Sequence, residues 1–550
     1  MLPAGLARPG PDSPVRSASS RLTIPAVAAL AVLAYLPSLW AGFAADDYAM
    51  LTTVEGLDGS LWAFERNDLG EVDGGHFYRP LWVLLNAAAL ALGGGGAAAF
   101  HAVNLILYAL VAVEVVLLVR ALAGRGALAA GAAFALYPRH AESVAWVSGN
   151  TDLLATALAL AALLCAVAPW SARRRVIGAV ALTALAALAK ESAFVLPLLA
   201  ALVLWLRPQR PGGDAERRLV LVIPTAMAVA LVPVVILRTL AIGGLGGYTG
   251  DEVTPLRILA STATYLVAAV TPHQLEILRR PVLALIPLAV LALAVLVAMR
   301  LRRADERARL RTLVLGLGFF AAALLPVIGE PLDLNNATGE RLLFLPSVGL
   351  AVALGALLPA RPRRGGAAAL TAMAALALAL CLISAHAWTT ATEIADRTLA
   401  SSLELAPGRG GELVLLSIPE SYRNAHVFTN SLDRAIARAG RPDLRVSWCA
   451  PVHLREEGAG RVRFELRPTE GAFLGRADPR APFDFPVAGQ PGRLSAGCSY
   501  AQAPGPDRAG DRVGEVPGLR LSALARPAPE RSEVALVVFD GRDLRRLEGP

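Results

Sequence analysis

Long uninterrupted apolar segments constrain this chain more than any other feature of its sequence. They are built mainly of Ala, Leu and Val, and they repeatedly reach the ~20 residues that an α-helix needs to cross a bilayer core. The chain is 55% hydrophobic and only 17% charged, whereas soluble domains carry about a quarter charged residues. Because a bilayer offers no water to backbone polar groups, such segments must be helical. The sequence therefore predicts a polytopic α-helical membrane protein that is embedded in a lipid bilayer.

We predict about eleven spans and a cytoplasmic N-terminal tail over 1–22. The spans are 23–44, 98–120, 127–139, 152–169, 176–190, 192–207, 218–237, 281–300, 312–328, 342–360 and 367–388. With this count every second loop is rich in Arg, as the positive-inside rule requires of cytoplasmic loops. Two shorter apolar segments, 80–93 and 256–271, are predicted to be re-entrant or interfacial helices on the outer side. The alternative is that both segments cross the membrane.

The chain divides into a transmembrane domain over 23–390 and a terminal domain over 391–550. An acidic outer loop over 45–79 follows the first span. The terminal domain is richer in Pro, Gly and Arg, and its short strand-like runs and one helix near 428–439 predict a soluble α+β domain. An odd number of spans places this domain outside the cytoplasm, in a protein of the cell (plasma or inner) membrane.

The distribution of positive charge and the small number of cysteines argue against a nucleic-acid-binding protein and against a disulfide-rich protein. The net charge is +8, but the Arg residues gather in predicted cytoplasmic loops, so we predict no nucleic-acid partner. The four cysteines do not form a disulfide framework. Cys449 and Cys498 both lie in the terminal domain, where they either pair in an oxidising compartment or stay free.

Candidate site residues gather in the predicted outer segments. Asp46 and Asp47 directly follow the first span, and one of them could act as a base or metal ligand while the other caps or orients the turn. The alternative is an interfacial acidic cap without a catalytic role. A divalent cation is thus an open cofactor, with Asp46 or Asp47 as its ligand.

The segment YPRHAESVAWVSGNTDLL (137–154) is the densest in polar groups between two apolar helices. It holds Arg139, His140, Glu142 and Asp152. His140 and Glu142 are two positions apart, so on a helix they face different directions and line a cavity instead of forming one metal site. The alternatives are a backbone-bonded interfacial histidine and, for Asp152, a helix cap.

The candidate site also contains positively charged residues. Lys190 lies between two apolar segments, where it could snorkel or hold a phosphate as a point charge. Glu340 and Arg341 either form a simple ion pair, or Arg341 binds a lipid phosphate while Glu340 holds it in place. Carboxylates can deprotonate a hydroxyl and cations can stabilise a departing phosphate, so these residues are suited to transfer from a lipid-phosphate donor.

Six motifs resemble, in order, the membrane region of the transmembrane and tetratricopeptide-repeat O-mannosyltransferases and their bacterial relatives, which belong to the GT-C glycosyltransferases. The motifs are FAADDY, FYRPL (77–81), HAVNLILY (101–108), YPRHAESVAWVSGNTDLLA, AKES (189–192) and GERLLFLPSVG (339–349), within about 20–390. The resemblance implies a polyprenyl-phosphate-linked sugar donor, an outward-facing active site, and a base or metal ligand at Asp46 or Asp47. It also implies a supporting role for His140, Glu142, Asp152 and Glu340.

The chain departs from the family at several positions. Tyr137 replaces a His, Ala141 a Thr, and Asn150 an Arg, so the donor-phosphate role of that Arg shifts to Arg139 or Arg341, beside the phosphate role open to Lys190. No tetratricopeptide helices follow the membrane region, so the acceptor stays open between a protein, a glycan and a lipid. The function implied is a membrane glycosyltransferase, with mannose as a candidate sugar. The alternatives are a transporter or flippase of lipid-linked sugars and a non-catalytic membrane scaffold.

Overall fold

The chain folds into a helical assembly followed by a smaller part that contains β-strands. A computed structural model describes residues 14–57, 64, 77–122, 126–207, 213–244, 254–271, 304–330, 332, 339–358, 364–415, 418–419, 421–423, 425–428, 431–448, 452–457, 461–466, 483–484, 534–539 and 542–546. Cys449 and Cys498, most of the outer loop 45–79 and the predicted span 281–300 lie outside these residues. The cysteine pair and that span therefore stay predictions.

Helices account for most of the described residues before position 405. The α-helices are α1 (Pro14–Tyr35), α2 (Asp46–Glu55), α3 (Pro80–Gly93), α4 (Ala97–Leu122), α5 (Ala127–Ala135), α6 (Ala141–Ala145), α7 (Asn150–Val167), α8 (Ala172–Ala189), α9 (Leu196–Leu206), α10 (Gly213–Ile242), α11 (Pro255–Val270), α12 (Ala304–Leu324), α13 (Phe344–Leu357), α14 (Arg364–Glu404) and α15 (Leu432–Arg438). Short 3-10 helices are Leu36–Trp40, Pro138–His140, Glu191–Val195, Leu325–Val327 and Glu340–Leu343.

Seven helical segments of the described part are long and apolar enough to cross a membrane. They are Leu22–Trp40, Ala97–Leu122, Asn150–Val167, Glu216–Ile242, Arg309–Val327, Glu340–Leu357 and Arg364–Glu404. Each coincides with a predicted span. The predicted spans 127–139, 176–190 and 192–207 are helical too, but they are short or begin with consecutive Arg residues. The helical membrane class is thus confirmed, and a count of eleven stays a prediction.

The two short apolar segments form helices that are shorter than a bilayer core. Helices α3 and α11 have 14 and 16 residues. At 1.5 Å rise per residue both are shorter than a bilayer core of about 30 Å. Their placement as re-entrant or interfacial helices stays a prediction, with a pair of full spans as the alternative.

Glycines allow α12 and α13 to pack backbone against backbone. A Cβ added at Gly316 would lie 2.6 Å from the carbonyl oxygen of Gly349, and one at Gly349 would lie 2.4 Å from the carbonyl oxygen of Gly316. Small residues permit this close approach where lipid supplies no hydrophobic driving force between helices. The contact fixes the start of α13, which carries part of the polar cluster described below.

Helix direction brings several polar segments to one end of the assembly, which we call the site end. Helices α7 and α8 pack against each other and are joined by a short turn at 168–171, so the start of α7 and the end of α8 lie together. The opposite end holds the Arg-rich turns. There Arg175 and Arg207 both pair with Glu216, at 2.7 Å for Arg175.

In its described residues the part after the last span contains strands and one helix, and it begins without a break. Helix α14 continues through the expected domain boundary at 390/391 to Glu404. The strands are β1 (Glu412–Leu415), β2 (Ser421–Tyr422), β3 (Ala425–His426), β4 (Arg445–Trp448), β5 (Val452–Glu457), β6 (Arg461–Leu466), β7 (Phe483–Asp484), β8 (Val534–Phe539) and β9 (Leu544–Arg546).

The main sheet of this part has the order β4-β1-β8-β9. Strand β1 is parallel to both β4 and β8, whereas β9 is antiparallel to β8. Helix α15 connects β1 to its parallel neighbour β4, which makes this sheet more α/β than the predicted α+β arrangement. Buried apolar residues of β1 and α15 belong to the same continuous core cluster as those of the spanning helices. The terminal part therefore packs directly on the helical assembly.

Candidate active site

Carboxylates occupy the first turn of nearly every helix that begins at the site end. They are Asp46 and Asp47 of α2, Glu142 of α6, Asp152 of α7, and Glu191 and Glu340 of the 3-10 helices that precede α9 and α13. A helix N-terminus carries partial positive charge and stabilises a carboxylate there. Every acidic residue selected from the sequence belongs to this set.

The two adjacent aspartates have different environments. Asp47 is 1% exposed, and its Oδ1 accepts hydrogen bonds from the backbone N–H of Ser148 at 2.8 Å and from the Ser148 hydroxyl at 2.6 Å. Its Oδ2 accepts the Ala44 N–H at 3.0 Å. Asp46 is only half-buried. Asp47 thus ties the turn to the loop before α7, and Asp46 is the accessible carboxylate of the pair.

The turn that presents these aspartates is strained. Ala45 has φ +47°, a left-handed conformation that residues with a Cβ rarely adopt. Its N–H donates to the carbonyl of Val427 at 3.0 Å, so a contact far along the chain holds the turn. Burial raises the pKa of Asp47 to about 7, although hydrogen bonds from Ser148 and Ala44 act in the opposite direction.

Glu142 holds the segment that precedes α13. Its carboxylate accepts the N–H of Gly339 at 3.2 Å and the N–H of Arg341 at 2.7 Å, and it pairs with the Arg341 guanidinium. Gly339 has φ +90°, which favours glycine at this position. Burial would raise the pKa of Glu142, but Arg341 and His426 outweigh it and lower the pKa to about 2.

Arg341 is the cation of this cluster that reaches the surface. Its side chain is 19% exposed, and its guanidinium lies over the ring of Trp146 at 5.3 Å from the centroid. The sequence suggested either an ion pair between Glu340 and Arg341, or a contact by which Glu340 holds Arg341 in place to bind a lipid phosphate. The structure instead pairs Arg341 with Glu142 and Glu340 with Arg139.

Arg139 is buried and paired inside the protein, and its predicted donor-phosphate role stays a prediction. Its side chain is 4% exposed. Its nitrogens donate to Glu340 and to the backbone carbonyl and hydroxyl of Thr271. Tyr137 donates to the carbonyls of Ala268 and Ala269, both at 3.2 Å. Together these two side chains bind the last carbonyls of α11, where a cation also interacts favourably with the helix dipole.

Lys190 and Asp152 form a buried pair between α7 and α8. The Lys190 Nζ donates to Asp152 Oδ2 at 2.6 Å, and the two side chains are 1% and 6% exposed. Gly149 is the N-cap of α7, so Asp152 is not the helix cap that the sequence allowed. Lys190 is bound to a carboxylate and does not snorkel to the surface. Lys190 directly precedes Glu191, the partner of Arg79, so this pair lies beside the rest of the cluster.

Arg79, which is buried, and Glu191, which is partly buried, form a further pair that the sequence analysis did not select. Arg79 donates through Nε to Glu191 Oε2 at 3.1 Å and through Nη2 to Oε1 at 2.6 Å. Arg238 lies 3.7 Å from the same carboxylate. Both members of the forked pair lie in motifs quoted above, FYRPL and AKES. The signal was therefore present, but the pairing over 112 residues could not be read from the sequence.

His140 and Asn150 have structural roles inside the helical assembly. The ring nitrogens of His140 bond the hydroxyls of Tyr108 at 3.0 Å and Ser347 at 2.8 Å, and burial lowers the pKa of His140 to about 3. Asn150 accepts a hydrogen bond from Trp82 and donates to the Asn86 amide oxygen at 2.9 Å. Asn150, which stands where the O-mannosyltransferases that this chain resembles have an Arg, therefore joins α7 to α3 and supplies no cation.

An aromatic cluster joins the site to the terminal part of the chain. Trp146 stacks on Trp388 of α14 at 6.2 Å between ring centroids, and its indole N–H donates to the carbonyl of Ala44 at 3.3 Å. His426 of β3 contacts both indoles, at 4.8 and 5.5 Å. The sequence analysis did not identify His426, because no local pattern connects it to the membrane segments.

The site offers few ligands to a metal ion. Within the described ranges no group of three or more His, Cys, Asp or Glu side chains is arranged to hold one. Both oxygens of Asp47 already accept hydrogen bonds. A divalent cation bound at Asp46 would therefore take most of its oxygen ligands from substrate and water.

The sequence resemblance is confirmed over part of the chain, although no family model matches it. The chain is 39% identical over 136 residues to the protein O-mannosyl-transferase Tmtc2 of Drosophila melanogaster, covering 23% of this chain and 14% of that protein. It is 37% identical over 134 residues to Tmtc1 of the same organism and 34% identical over 154 residues to TMTC2 of Mus musculus. The matches span at most 18% of the length of these relatives.

A solved structure is similar over a larger share of the chain. The arabinofuranosyltransferase AftD from Mycobacteria matches 76% of this chain and 31% of its own, at 18% identity and a TM-score of 0.38. This TM-score is too low to assign a fold from the similarity.

Proposed function

We propose that this chain is a membrane glycosyltransferase that transfers a sugar from a polyprenyl-phosphate donor to a hydroxyl on a protein, glycan or lipid outside the cytoplasm. One observation carries the proposal. A half-buried carboxylate, Asp46, and a partly exposed cation, Arg341, lie at the same end of the helices, where Trp146 donates to the carbonyl of Ala44, two residues before Asp46, and carries the Arg341 guanidinium over its ring. The similarity to protein O-mannosyl-transferases supports it and makes mannose the first sugar to test.

The chemistry assigns one role to each exposed group. The Asp46 carboxylate takes the proton of the acceptor hydroxyl while the acceptor oxygen bonds to C1 of the sugar. The bond between C1 and the phosphate oxygen breaks, and the phosphate leaves on its polyprenyl carrier. The Arg341 guanidinium stabilises the charge of that leaving phosphate. Asp47, Glu142 and the Lys190–Asp152 pair hold these two groups in position.

The placement of the charges supports an extracytoplasmic site. Arg173, Arg174 and Arg175 begin α8 at the end opposite the site, and Arg207 follows α9 there. The positive-inside rule assigns such Arg-rich turns to the cytoplasm. The site end, and the terminal part packed against it, then face outward in the cell membrane.

A transporter of lipid-linked sugars is the second candidate, because one carboxylate lies within a spanning helix. Glu114 of α4 is 6% exposed, and its Oε2 has no hydrogen-bond partner among the residues that the structure describes. Ionisable groups within spans are often part of transport pathways. However, the polar cluster gathers at the helix ends and not at mid-depth on broken helices, which favours the enzyme.

The test is sugar transfer by the purified protein in proteoliposomes. Labelled polyprenyl-phosphate-mannose is added with candidate acceptors, and release of the polyprenyl phosphate is measured together with mass spectrometry of the glycans. Arg341→Gln should lower the rate by about 10²- to 10³-fold, the cost of removing one group that stabilises a developing anion.

Arg397→Gln is the matched control, since Arg397 is 44% exposed on α14, and its rate should equal that of the wild type. Movement of the lipid-linked sugar across the bilayer without release of its phosphate would refute the glycosyltransferase hypothesis and support the transporter hypothesis. If the protein showed neither sugar transfer nor transport with any donor tested, the non-catalytic scaffold would be the remaining hypothesis.

A further inference from the structure

The segment 425–428 of the terminal part is built into the site. His426 is 5% exposed, and its Nε2 lies 3.5 Å from Oε1 of Glu142. Its ring is enclosed by Trp146 and Trp388. An imidazole that is buried among aromatic rings and directed at a buried carboxylate has little freedom to move.

The same segment also supports the aspartate turn. The Val427 carbonyl accepts the N–H of Ala45, the residue with the left-handed φ that precedes Asp46. The Phe428 ring stacks on Tyr48 of α2 at 5.8 Å between centroids and 20° between planes. Strain at a functional turn persists only where surrounding contacts enforce it, and two of those contacts come from this segment.

One carboxylate oxygen of Glu142 faces two cationic or imidazole side chains in addition to the Gly339 N–H that it accepts. Its Oε1 faces the guanidinium of Arg341 and the imidazole of His426. Because the Glu142 carboxylate also interacts with His426, it neutralises the charge of Arg341 less completely than a carboxylate that interacts with Arg341 only. Without the imidazole, Glu142 would pair more strongly with Arg341. The carboxylate would then compete with an incoming phosphate for the guanidinium.

We propose that His426 is a positioning residue that acts through Glu142 to keep the Arg341 guanidinium available to the donor phosphate. The terminal part of the chain is thereby a component of the donor site. This inference rests on the proposed function only in assigning a lipid phosphate to Arg341. It adds the prediction that removal of a side chain outside the spanning helices weakens binding of that phosphate.

Binding and turnover test the proposal separately. The probe is a polyprenyl monophosphate, and its affinity for the full-length protein in detergent is measured by thermal stabilisation. His426→Ala should raise its Kd, and the KM of the sugar donor, by about 10-fold, with a smaller change in kcat. His426→Gln places an amide N–H near the position of Nε2 and should recover affinity to within about 3-fold of the wild type.

Two further variants distinguish positioning from general loss of structure. Arg441→Ala removes a partly exposed pair with Asp443 and hydrogen bonds to the carbonyls of Pro407 and Gly408, none of which involves Glu142, so its affinity should equal that of the wild type. In a Glu142→Gln background, His426→Ala should have little additional effect, because the two residues act in one chain of contacts.

Each outcome decides the inference. Wild-type affinity in His426→Ala would overturn it, and so would equal losses in His426→Ala and His426→Gln. Additive effects of His426→Ala and Glu142→Gln would overturn the route through Glu142. Binding of the monophosphate without any sugar transfer would contradict the proposed enzyme while leaving the binding role of His426 measurable. A wild-type protein that binds no monophosphate would refute both.

Discussion

The adjacent aspartates after the first span should respond very differently to the same substitution. Asp46→Asn removes the accessible carboxylate that we propose as the base. General base catalysis contributes about 10²- to 10⁴-fold, so the transfer rate should fall by that factor. The fold should be retained, because Asp46 is half-buried and asparagine is nearly isosteric with it.

Asp47→Asn should mainly reduce stability. Asp47 accepts hydrogen bonds from Ser148 and Ala44, and its buried side chain meets donors at both oxygens. An asparagine amide turns one oxygen into a donor, which leaves a buried N–H group facing another N–H. Such an unsatisfied group costs about 1–3 kcal/mol of unfolding free energy. We expect a lower Tm and a rate within about 10-fold of the wild type.

The assay combines thermal unfolding in detergent with sugar transfer in proteoliposomes. Asp433→Asn is the matched control, because Asp433 is an exposed first-turn aspartate of α15, and neither quantity should change. A folded Asp46→Asn protein with the wild-type rate would refute the assignment of the base. An Asp47→Asn protein with an unchanged Tm would refute the bonding role of Asp47.

Three other predictions concern stability. Lys190→Met leaves Asp152 charged and buried and should lower the unfolding free energy by about 3–5 kcal/mol, most of which Asp152→Asn in the same chain should restore; additive losses in chemical denaturation would contradict the pairing. Gly349→Ala places a Cβ 2.4 Å from a backbone oxygen of α12 and should cost about 1–3 kcal/mol, whereas a Cβ at Gly365 meets no described atom within 4 Å, so Gly365→Ala should not lower the Tm. Stability from the raised pKa of Asp47 is present below the unfolded value of 3.8 and is lost as the pH rises through about 7, so the Tm should fall between pH 5 and pH 8 less in Asp47→Asn than in the wild type.

Local pattern was sufficient to predict many of the elements. The length of each apolar segment predicts a span, and all seven described helices that can cross a membrane coincide with predicted ones. Strands β1 and β8 and helix α15 follow from short runs of strand and helix formers in the terminal part. The parallel pairing of β1 with β4 and β8 does not, since register depends on strands that are distant in sequence.

The sequence by itself determined which residues gather at the site end, because a polar side chain in an apolar chain must lie where helices meet water. Only the tertiary structure decided which of them are accessible and which partner each one has. Arg341 binds Glu142 across 199 residues, and His426 reaches the same carboxylate from beyond the last span. A buried charge is stable only beside an opposite charge, and helix packing, not sequence neighbourhood, determines which opposite charge is near.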